Sequence, residues 1–485
     1  MKKITLIAAT AVALALICLD ATAKLSPKYP CCSSMVLQRQ TSALVWGHGD
    51  KGEAVTVRTS WDNRKYSAEV GPDGVWKVYV KTPDASYSHH SISVKSGKES
   101  FVIDDVLIGE VWVASGQSNM EMPVRGYFNC PVENSNLTIA SPAGGDRVRM
   151  FTVGISGKTE PSGEIASTRG WEKATPEAVA EMSATAYFFA ERLNRCLDVP
   201  VGILALARGG ARLESWLPRQ TVESFGTENC DTSHILTVKP EYLRPYLIYN
   251  GMQQPVKGYT AKGFIWYQGC SNVGRDSEFV PRMVELVRQW REDWGDTENA
   301  MPFYQVEIAP YLYGDRQESA GALLRAAQHR AAAQIPNGGI ICTNDLVYPW
   351  ETDNIHPCRK QPVGERLALM ALKRDYGFSR IACDSPEAVK VEKDASDASV
   401  LMVTLTNCPN GINRSKGIEG LEVAGIDGIF HPVRNVSMEW GDGRMKVSCP
   451  EVKDPVHIKY GWGDFVPGNL CNAEGLPVVP FRMSL

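Results

Sequence analysis

Short β-prone runs separated by turn residues occupy the chain from about residue 24. Residues 54–57 (AVTV) and 75–80 (VWKVYV) are rich in β-branched and aromatic side chains, and turn residues such as 71–74 (GPDG) separate such runs. Strands at this spacing predict a small β-sandwich module over residues 24–105.

The pattern changes at residue 106, where helical periods begin to alternate with buried strands. Residues 106–114 (VLIGEVWVA) are mostly apolar, as in a strand buried on both faces, and residues 177–197 carry apolar side chains at three- and four-residue spacing. Such alternation predicts an α/β core with a parallel sheet and helices on both faces over residues 106–380. Further strands are predicted at 201–206, 263–267, 302–308 and 339–342, and further helices at 278–294, at 318–333 and from about residue 360.

The remainder, residues 381–485, returns to short β-prone runs. Strands are predicted at 400–405, 429–433, 445–447 and 456–460, with turn residues such as 409–411 (PNG) between them. The α/β core is therefore expected to have β-structure at both ends.

The first 23 residues have the pattern of a signal peptide. Two lysines precede an apolar stretch at 4–19, and small residues at 21–23 (ATA) fit a cleavage site. The alternative is an uncleaved anchor, but the apolar run is shorter than the ~20 residues that a membrane span needs. We therefore expect an exported protein, periplasmic or extracellular, without a membrane span.

Composition excludes some classes of partner and cofactor. Lys and Arg number 51 against 55 Asp and Glu, a net charge of −4, and this balance without basic clusters argues against nucleic-acid binding. The 13 cysteines show no zinc-site spacing, so we expect no metal. The sequence leaves disulfide pairing and oligomeric state open.

Candidate chemistry follows the ends of the predicted core strands, where ligands gather in open α/β sheets. The first such strand leads into residues 115–120 (SGQSNM), so Ser118 lies on a glycine-containing turn as an exposed nucleophile would. The turn is not the G-x-S-x-G elbow, since Met120 replaces the second glycine. The alternative for Ser118 is a helix cap.

A serine nucleophile needs a base and a group that holds the base. Of the eight histidines, His356 is the one that follows the last core strand, in residues 352–357 (TDNIHP). The three-residue spacing predicts Asp353 and His356 on one side of a turn, where the carboxylate can bind one ring nitrogen. The alternative is that Asp353 caps the following helix.

Two other strand ends offer hydrogen-bond donors for an oxyanion. Gly209 and Gly210 follow the strand at 201–206, and the amides of Gln268 and Asn272 follow the strand at 263–267. Singly, each is a tight turn. Nucleophile, glycine pair, amide and Asp/His at four strand ends together predict a serine hydrolase.

These blocks resemble the SGNH-type esterases, specifically the sialate O-acetylesterase (SASA) family. The matching stretches are 109–112 with 116–120, 209–216, 265–272, 355–361, and, outside the core, 35–39 and 460–477. The resemblance implies a flavodoxin-like, three-layer α/β core with an accessory β-domain.

The same resemblance implies Ser118 as nucleophile and His356 as base, without a metal or organic cofactor. It implies oxyanion donors from the Ser118 N–H, Gly210 and the amide of Gln268 or Asn272, of which we prefer Gln268. The sequence departs from the family at Cys270, where relatives carry Glu, and at Asn354, where many carry the acid. Asp353 is therefore the preferred acid, and Asp345 is the reserve candidate.

The implied activity is removal of O-acetyl groups from carbohydrate, with O-acetylated sialic acids as the implied substrate. Arg212 and Trp216 are candidates for contact with the sugar, although Trp216 is equally plausible as core. A base with an unperturbed pKa of ~6.5 would make activity decline as the pH falls through that value. The alternatives are an esterase for acetylated xylan or another plant polysaccharide, and a non-catalytic carbohydrate-binding protein.

Overall fold

The computed structural model of the protein describes residues 24–314, 319–413, 415, 417–438 and 443–485. The predicted signal peptide, 1–23, lies outside the described residues. Within the described ranges, every helix is too short or too polar to be a membrane span. No disulfide links two cysteines within these ranges.

The N-terminal module consists of two β-sheets that share one apolar core. In β4 and β6 every second residue is buried, among them Val57 and Val80, as the alternating pattern predicts. One sheet has the order β1-β3-β6, and the other contains β2, β4, β5, β7 and part of β8. The strands are β1 (Ser26–Pro27), β2 (Val36–Gln38), β3 (Ser42–His48), β4 (Ala54–Thr59), β5 (Lys65–Glu69), β6 (Val75–Lys81), β7 (Ser86–Ser96) and β8 (Glu99–Gly116).

The long strand β8 joins this module to the α/β core. Its first half pairs with β7 and with β2, and its second half pairs with core strands on both sides. The predicted boundary between residues 105 and 106 therefore falls inside a strand, next to Asp105, whose φ is 57°. At this point a single strand runs from the module into the core, so the two parts share one continuous sheet.

The core sheet has the order β10-β9-β11-β8-β12-β13-β14, in which only β10 runs antiparallel to its neighbour. Five parallel strands, β11-β8-β12-β13-β14, have the 2-1-3-4-5 order of flavodoxin that the resemblance implies, and β9 and β10 extend the sheet beyond β11. The additional core strands are β9 (Val148–Thr152), β10 (Trp171–Lys173), β11 (Val201–Ala207), β12 (Gly263–Tyr267), β13 (Phe303–Val306) and β14 (Gly338–Ile341).

Helices pack on both faces of the core sheet. Successive residues of β8 point to opposite faces and belong to different apolar clusters. Val111 belongs to the cluster that contains Leu286 of α7. Trp112 belongs to the cluster that contains Phe188 of α4 and Leu367 of α9. The helices are α1 (Ser118–Glu121), α2 (Ser135–Ala140), α3 (Pro176–Glu181), α4 (Ala184–Leu197), α5 (Arg219–Ser224), α6 (Thr232–Thr237), α7 (Asp276–Asp293), α8 (Ala320–Gln334) and α9 (Lys360–Asp375).

The prediction of a single helix over 177–197 is wrong, because the structure has two helices there, α3 and α4. Met182 has extended backbone angles, and Ser183 caps α4 by accepting a hydrogen bond from the Ala186 N–H. Ser183 also forms an isolated β-bridge with Pro123, two residues beyond the end of α1. A long-range contact interrupts the helical pattern here.

The C-terminal region is built from antiparallel sheets around its own apolar cluster, which includes Val403, Leu421 and Tyr460. The sheets have the orders β15-β16-β21-β20, β17-β23 and β19-β18-β22-β24. The strands are β15 (Ala388–Lys393), β16 (Leu401–Leu405), β17 (Ile412–Asn413), β18 (Leu421–Ala424), β19 (His431–Pro432), β20 (Asn435–Met438), β21 (Arg444–Ser448), β22 (His457–Tyr460), β23 (Cys471–Asn472) and β24 (Phe481–Ser484).

Candidate active site

Ser118 lies on a tight turn at the carboxyl end of β8. Gly116 has φ 140°, and a Cβ at this position would lie 2.2 Å from the carbonyl oxygen of Tyr267 on the neighbouring strand, so the turn requires glycine. The Gln117 N–H donates to that same carbonyl at 2.9 Å. Ser118 then opens the short helix α1 and is half-buried. The end of β12 thus sets the position of the candidate nucleophile.

Two hydroxyl groups at the N-terminus of α4 donate hydrogen bonds to backbone carbonyls of α1. Ser183 Oγ donates to the Met120 carbonyl at 2.6 Å, and Thr185 Oγ1 donates to the Asn119 carbonyl at 3.1 Å. The helical pattern over 177–197 includes both residues but predicts no contact between them and α1. Their role depends on which helix packs against α1, and that is a tertiary feature.

Asn119 connects the Ser118 turn to the loop that carries His356. Its Nδ2 donates to the Ile355 carbonyl at 3.0 Å, and its Oδ1 accepts from Lys360 Nζ at 2.6 Å. Asn119 and Lys360 are both buried. The structure therefore brings together the two segments that carry Ser118 and His356, although they are far apart in sequence.

The His356 ring lies in a half-buried pocket beside aromatic and thiol groups. The Tyr127 ring contacts it edge to face at a centroid distance of 5.3 Å, and Cys130 Sγ lies 4.0 Å from Nδ1. Nε2 is buried and has no hydrogen-bond partner, so the Ser118–His356 hydrogen bond is not formed in this structure. Catalytic hydrogen bonds are often formed only when substrate is bound.

This environment keeps the imidazole neutral. Burial lowers the pKa of His356 to about 4, and the positive charge of Lys360 contributes in the same direction. Burial also lowers the pKa of Lys360 to about 8. If His356 is the base, activity falls when the ring is protonated at low pH. The midpoint of this acid limb of the pH profile is therefore expected at about 4, instead of the unperturbed value of ~6.5.

The predicted hydrogen bond between Asp353 and His356 is absent. Asp353 is exposed in a turn, and no carboxylate oxygen of the described residues lies within 4.0 Å of a His356 ring nitrogen. The segment is not helical there, so a three-residue spacing does not place the two side chains together. The reserve candidate, Asp345, instead forms a two-pronged ion pair with Arg366 at 2.7 Å.

Two backbone donors near Ser118 have no acceptor within the described part of the chain, namely the N–H groups of Ser118 and Gly210. Gly210 has φ 74°, and a Cβ there would lie 2.6 Å from the Tyr242 ring. The neighbouring Gly209 approaches Ser118, since a Cβ on it would lie 3.5 Å from the serine Cβ. Both predicted backbone donors thus belong to turns at adjacent strand ends.

The two predicted amide donors are already occupied. Gln268 Nε2 donates to the Ala211 carbonyl at 3.2 Å and to Asn272 Oδ1 at 2.7 Å. Asn272 Nδ2 donates to the buried carboxylate of Glu214 at 3.1 Å. In this structure these amides join the turn after β12 to the segment after Gly210 and leave no free N–H for an oxyanion.

The two predicted sugar-contact residues differ in their surroundings. Trp216 is fully buried and packs against Trp266 and Trp290 at centroid distances of 5.9 and 6.0 Å. A sugar cannot reach it, so the substrate-binding prediction is wrong and its core alternative holds. Arg212 is half-buried, and its Nε has no hydrogen-bond partner.

Several residues near the site were missed by sequence reasoning. Tyr127 and Tyr242 flank His356 and Gly210, and the Glu121 carboxylate accepts a hydrogen bond from the Gly209 N–H. Burial raises the pKa of Glu121, whereas the Gly209 hydrogen bond and the charge of Arg208 act in the opposite direction. These three residues lie outside the regular apolar patterns and motifs of the sequence, so no sequence signal pointed to them.

A separate group of His89, Asp105 and Asp146 has ligand atoms within 4.8 Å of one another. Asp105 already forms ion pairs with Arg149 at 2.9 Å and with Lys173 at 2.8 Å. A metal ion would compete with these two positive charges, so we assign no metal to this group.

Comparison with known proteins decides the family. Residues 108–373 match the family described as carbohydrate esterase, sialic acid-specific acetylesterase. The chain belongs to this family. Membership makes it a carboxylic ester hydrolase and confirms the resemblance seen in the sequence blocks.

Individual relatives extend the likeness beyond the matched region. The chain is 27% identical to the sialate O-acetylesterase of Mus musculus over 418 residues, 75% of this chain and 76% of that protein. It is 27% identical to the sialate O-acetylesterase of Homo sapiens over 391 residues, 74% and 73% of the two chains. It is also similar to the crystal structure of a carbohydrate acetylesterase from Xanthomonas citri, with a TM-score of 0.82, 29% identity and coverage of 95% and 99%.

Proposed function

We propose that this protein is an exported serine esterase that removes O-acetyl groups from sialic acids. Besides membership of the esterase family, one structural observation is the main support for this proposal. Asn119 bonds the segment before His356 directly to the turn of Ser118, beside two unoccupied backbone N–H groups. A hydroxyl, a neutral imidazole and free amide donors are the groups that acyl transfer requires.

In the proposed reaction, Ser118 Oγ attacks the acetyl carbonyl while His356 accepts the hydroxyl proton. The developing oxyanion is bound by the N–H groups of Ser118 and Gly210. His356 then protonates the departing sugar hydroxyl, and the acetyl group stays on Ser118 as an ester. Water attacks this acetyl-enzyme with the help of the same imidazole and releases acetate.

The base in this proposal acts without a carboxylate bound to its ring. The low pKa of His356 keeps it neutral and ready to accept a proton at neutral pH. Each oxyanion donor is expected to contribute about 3 kcal/mol to stabilisation of the transition state. The proposal assigns no orienting role to Asp353, whose predicted bond to the ring is absent, and no oxyanion role to the occupied amides of Gln268 and Asn272.

Three further assignments belong to the same proposal. The pattern of residues 1–23 supports export, and an exported protein is expected to begin near Lys24 after cleavage. The helices on both faces of the core sheet support a three-layer SGNH-type core. The expected extent of that core is 106–380, between β-rich regions at 24–105 and 381–485.

Acetate release from O-acetylated N-acetylneuraminic acid, compared with release from acetylated xylan, tests the proposal. We expect the wild-type protein to prefer the sialic acid, and the Ser118→Ala variant to release no acetate from either substrate or from an aryl acetate. The variant should unfold at the wild-type temperature, because Ser118 Oγ makes no hydrogen bond to the residues that the structure describes. Turnover that survives in Ser118→Ala excludes this residue as the nucleophile, and preference for xylan refutes the proposed substrate.

A further inference from the structure

Arg208 has an unusual position for a charged residue. It follows β11 directly, its N–H donates to the Gly116 carbonyl at 3.2 Å, and it precedes the Gly209–Gly210 pair. The residue is half-buried. Its backbone is therefore fixed between the turn of Ser118 and the turn that supplies the Gly210 N–H.

The guanidinium of Arg208 lies among the groups around the candidate nucleophile. It lies 5.9 Å from the centroid of the Tyr242 ring, which covers Gly210. Its charge also acts on Glu121 and on Tyr127, the residue that packs against His356. Arg208 therefore belongs to the group of side chains around the two turns that carry Ser118 and Gly210.

This guanidinium forms no ion pair in the described part of the chain, although the carboxylates of Glu121 and Glu241 lie near enough to interact with its charge. No carboxylate oxygen there lies within 4.0 Å of it, and it donates no side-chain hydrogen bond, whereas the carboxylate of Glu121 is already bound by the Gly209 N–H. Arginine is the residue best suited to bind a carboxylate through two parallel hydrogen bonds. The Arg208 guanidinium, which has no ion-pair partner among the described residues, is thus available to an anion that comes with the substrate.

We propose that Arg208 forms the carboxylate subsite of this esterase and selects acidic sugars over neutral ones. The inference rests on the proposed function, since it places an O-acetylated sugar acid at Ser118. The substrate carboxylate binds the free guanidinium in the ground state and in the transition state alike. Arg208 therefore acts mainly on KM and distinguishes a sialic acid from a neutral acetylated polysaccharide.

The test compares three acetyl esters with one enzyme. They are O-acetylated N-acetylneuraminic acid, its methyl ester, in which the carboxylate is neutralised, and phenyl acetate. We expect Arg208→Met to raise KM for the free acid about tenfold or more, with kcat little changed. The same variant should leave kcat/KM for the methyl ester and for phenyl acetate within about twofold of wild type.

Two further variants separate charge from structure. Arg208→Lys retains the charge and should recover part of the preference for the acid. Arg195→Met removes an exposed charge from the last turn of α4 and should leave all three substrates unaffected.

Equal loss on all three substrates in Arg208→Met, or no loss on the acid, overturns the carboxylate subsite. Wild-type turnover of phenyl acetate without preference for the acid over its methyl ester overturns it as well. Wild-type protein that hydrolyses none of the three esters refutes the proposed function instead.

Discussion

The neutral His356 predicts a pH profile unlike that of an ordinary histidine base. Because the base must be unprotonated, activity requires a pH above its pKa, which burial and Lys360 lower to about 4. At pH 5 a base with a pKa of about 4 is ~90% neutral, whereas one of pKa ~6.5 is only ~3% neutral. We therefore expect kcat/KM to be flat between pH 5 and 8 and to fall by half near pH 4.

Replacing Lys360 by Met removes the cation and keeps the length of the side chain. The pKa of His356 lies ~2.5 pH units below 6.5, and burial is the larger of the two causes, so Lys360 accounts for ~1 unit or less. The variant should move the acid limb upward by up to about one pH unit. Tyr127 and Cys130, the other titratable groups at the ring, stay protonated in this range, because burial raises the pKa of both.

The assay is acetate release from phenyl acetate, which carries no titratable group, between pH 3.5 and 8. Circular dichroism at each pH separates loss of the base from acid unfolding. Lys373→Met, in the last turn of the same helix, is the matched control and should leave the profile unchanged. A wild-type limb near 6.5 in folded protein, or an unchanged limb in Lys360→Met, refutes the reasoning.

Three other changes test the geometry of the site. Gly210→Ala forces a Cβ against the Tyr242 ring at a φ of 74°, so kcat should fall about a hundredfold with the loss of one oxyanion donor; full activity would remove Gly210 from the oxyanion site. Asp353→Asn should keep kcat within about tenfold of wild type, because the carboxylate is exposed and apart from the ring, whereas a loss on the order of 10⁴ would restore Asp353 as the orienting acid. Trp216→Ala should lower the free energy of unfolding by about 3–5 kcal/mol in urea titrations, and unchanged stability with a raised KM would contradict its place in the core.

Local pattern was sufficient for most of the secondary structure. The strand predicted at 263–267 is β12, residue for residue, since a short apolar run between turn residues has few other solutions. The helix predicted from about residue 360 is α9. The helix predicted over 177–197 failed because Ser183 ends one helix and caps the next while bonding the Met120 carbonyl, a partner that no local pattern reveals.

The candidate nucleophile, base and glycine turn were found because the carboxyl ends of parallel strands meet at one edge of a sheet. The spacing of Asp353 and His356 does not produce a contact, since three residues bring side chains together on a helix but not in the turn observed here. The amides of Gln268 and Asn272 were correctly placed at the same edge, yet long-range partners already occupy their N–H groups.

The amino-acid sequence by itself determined the α/β core with its flanking β-regions, the family, and the segments that carry Ser118 and His356. These features depend on residue type and spacing over short stretches, which the chain shows directly. Only the tertiary structure decided which polar groups are free and which are occupied, that Trp216 is core, and that Arg208 has no ion-pair partner among the described residues. Hydrogen bonds and burial join residues that are distant along the chain, so their outcome is fixed only when the whole fold is assembled.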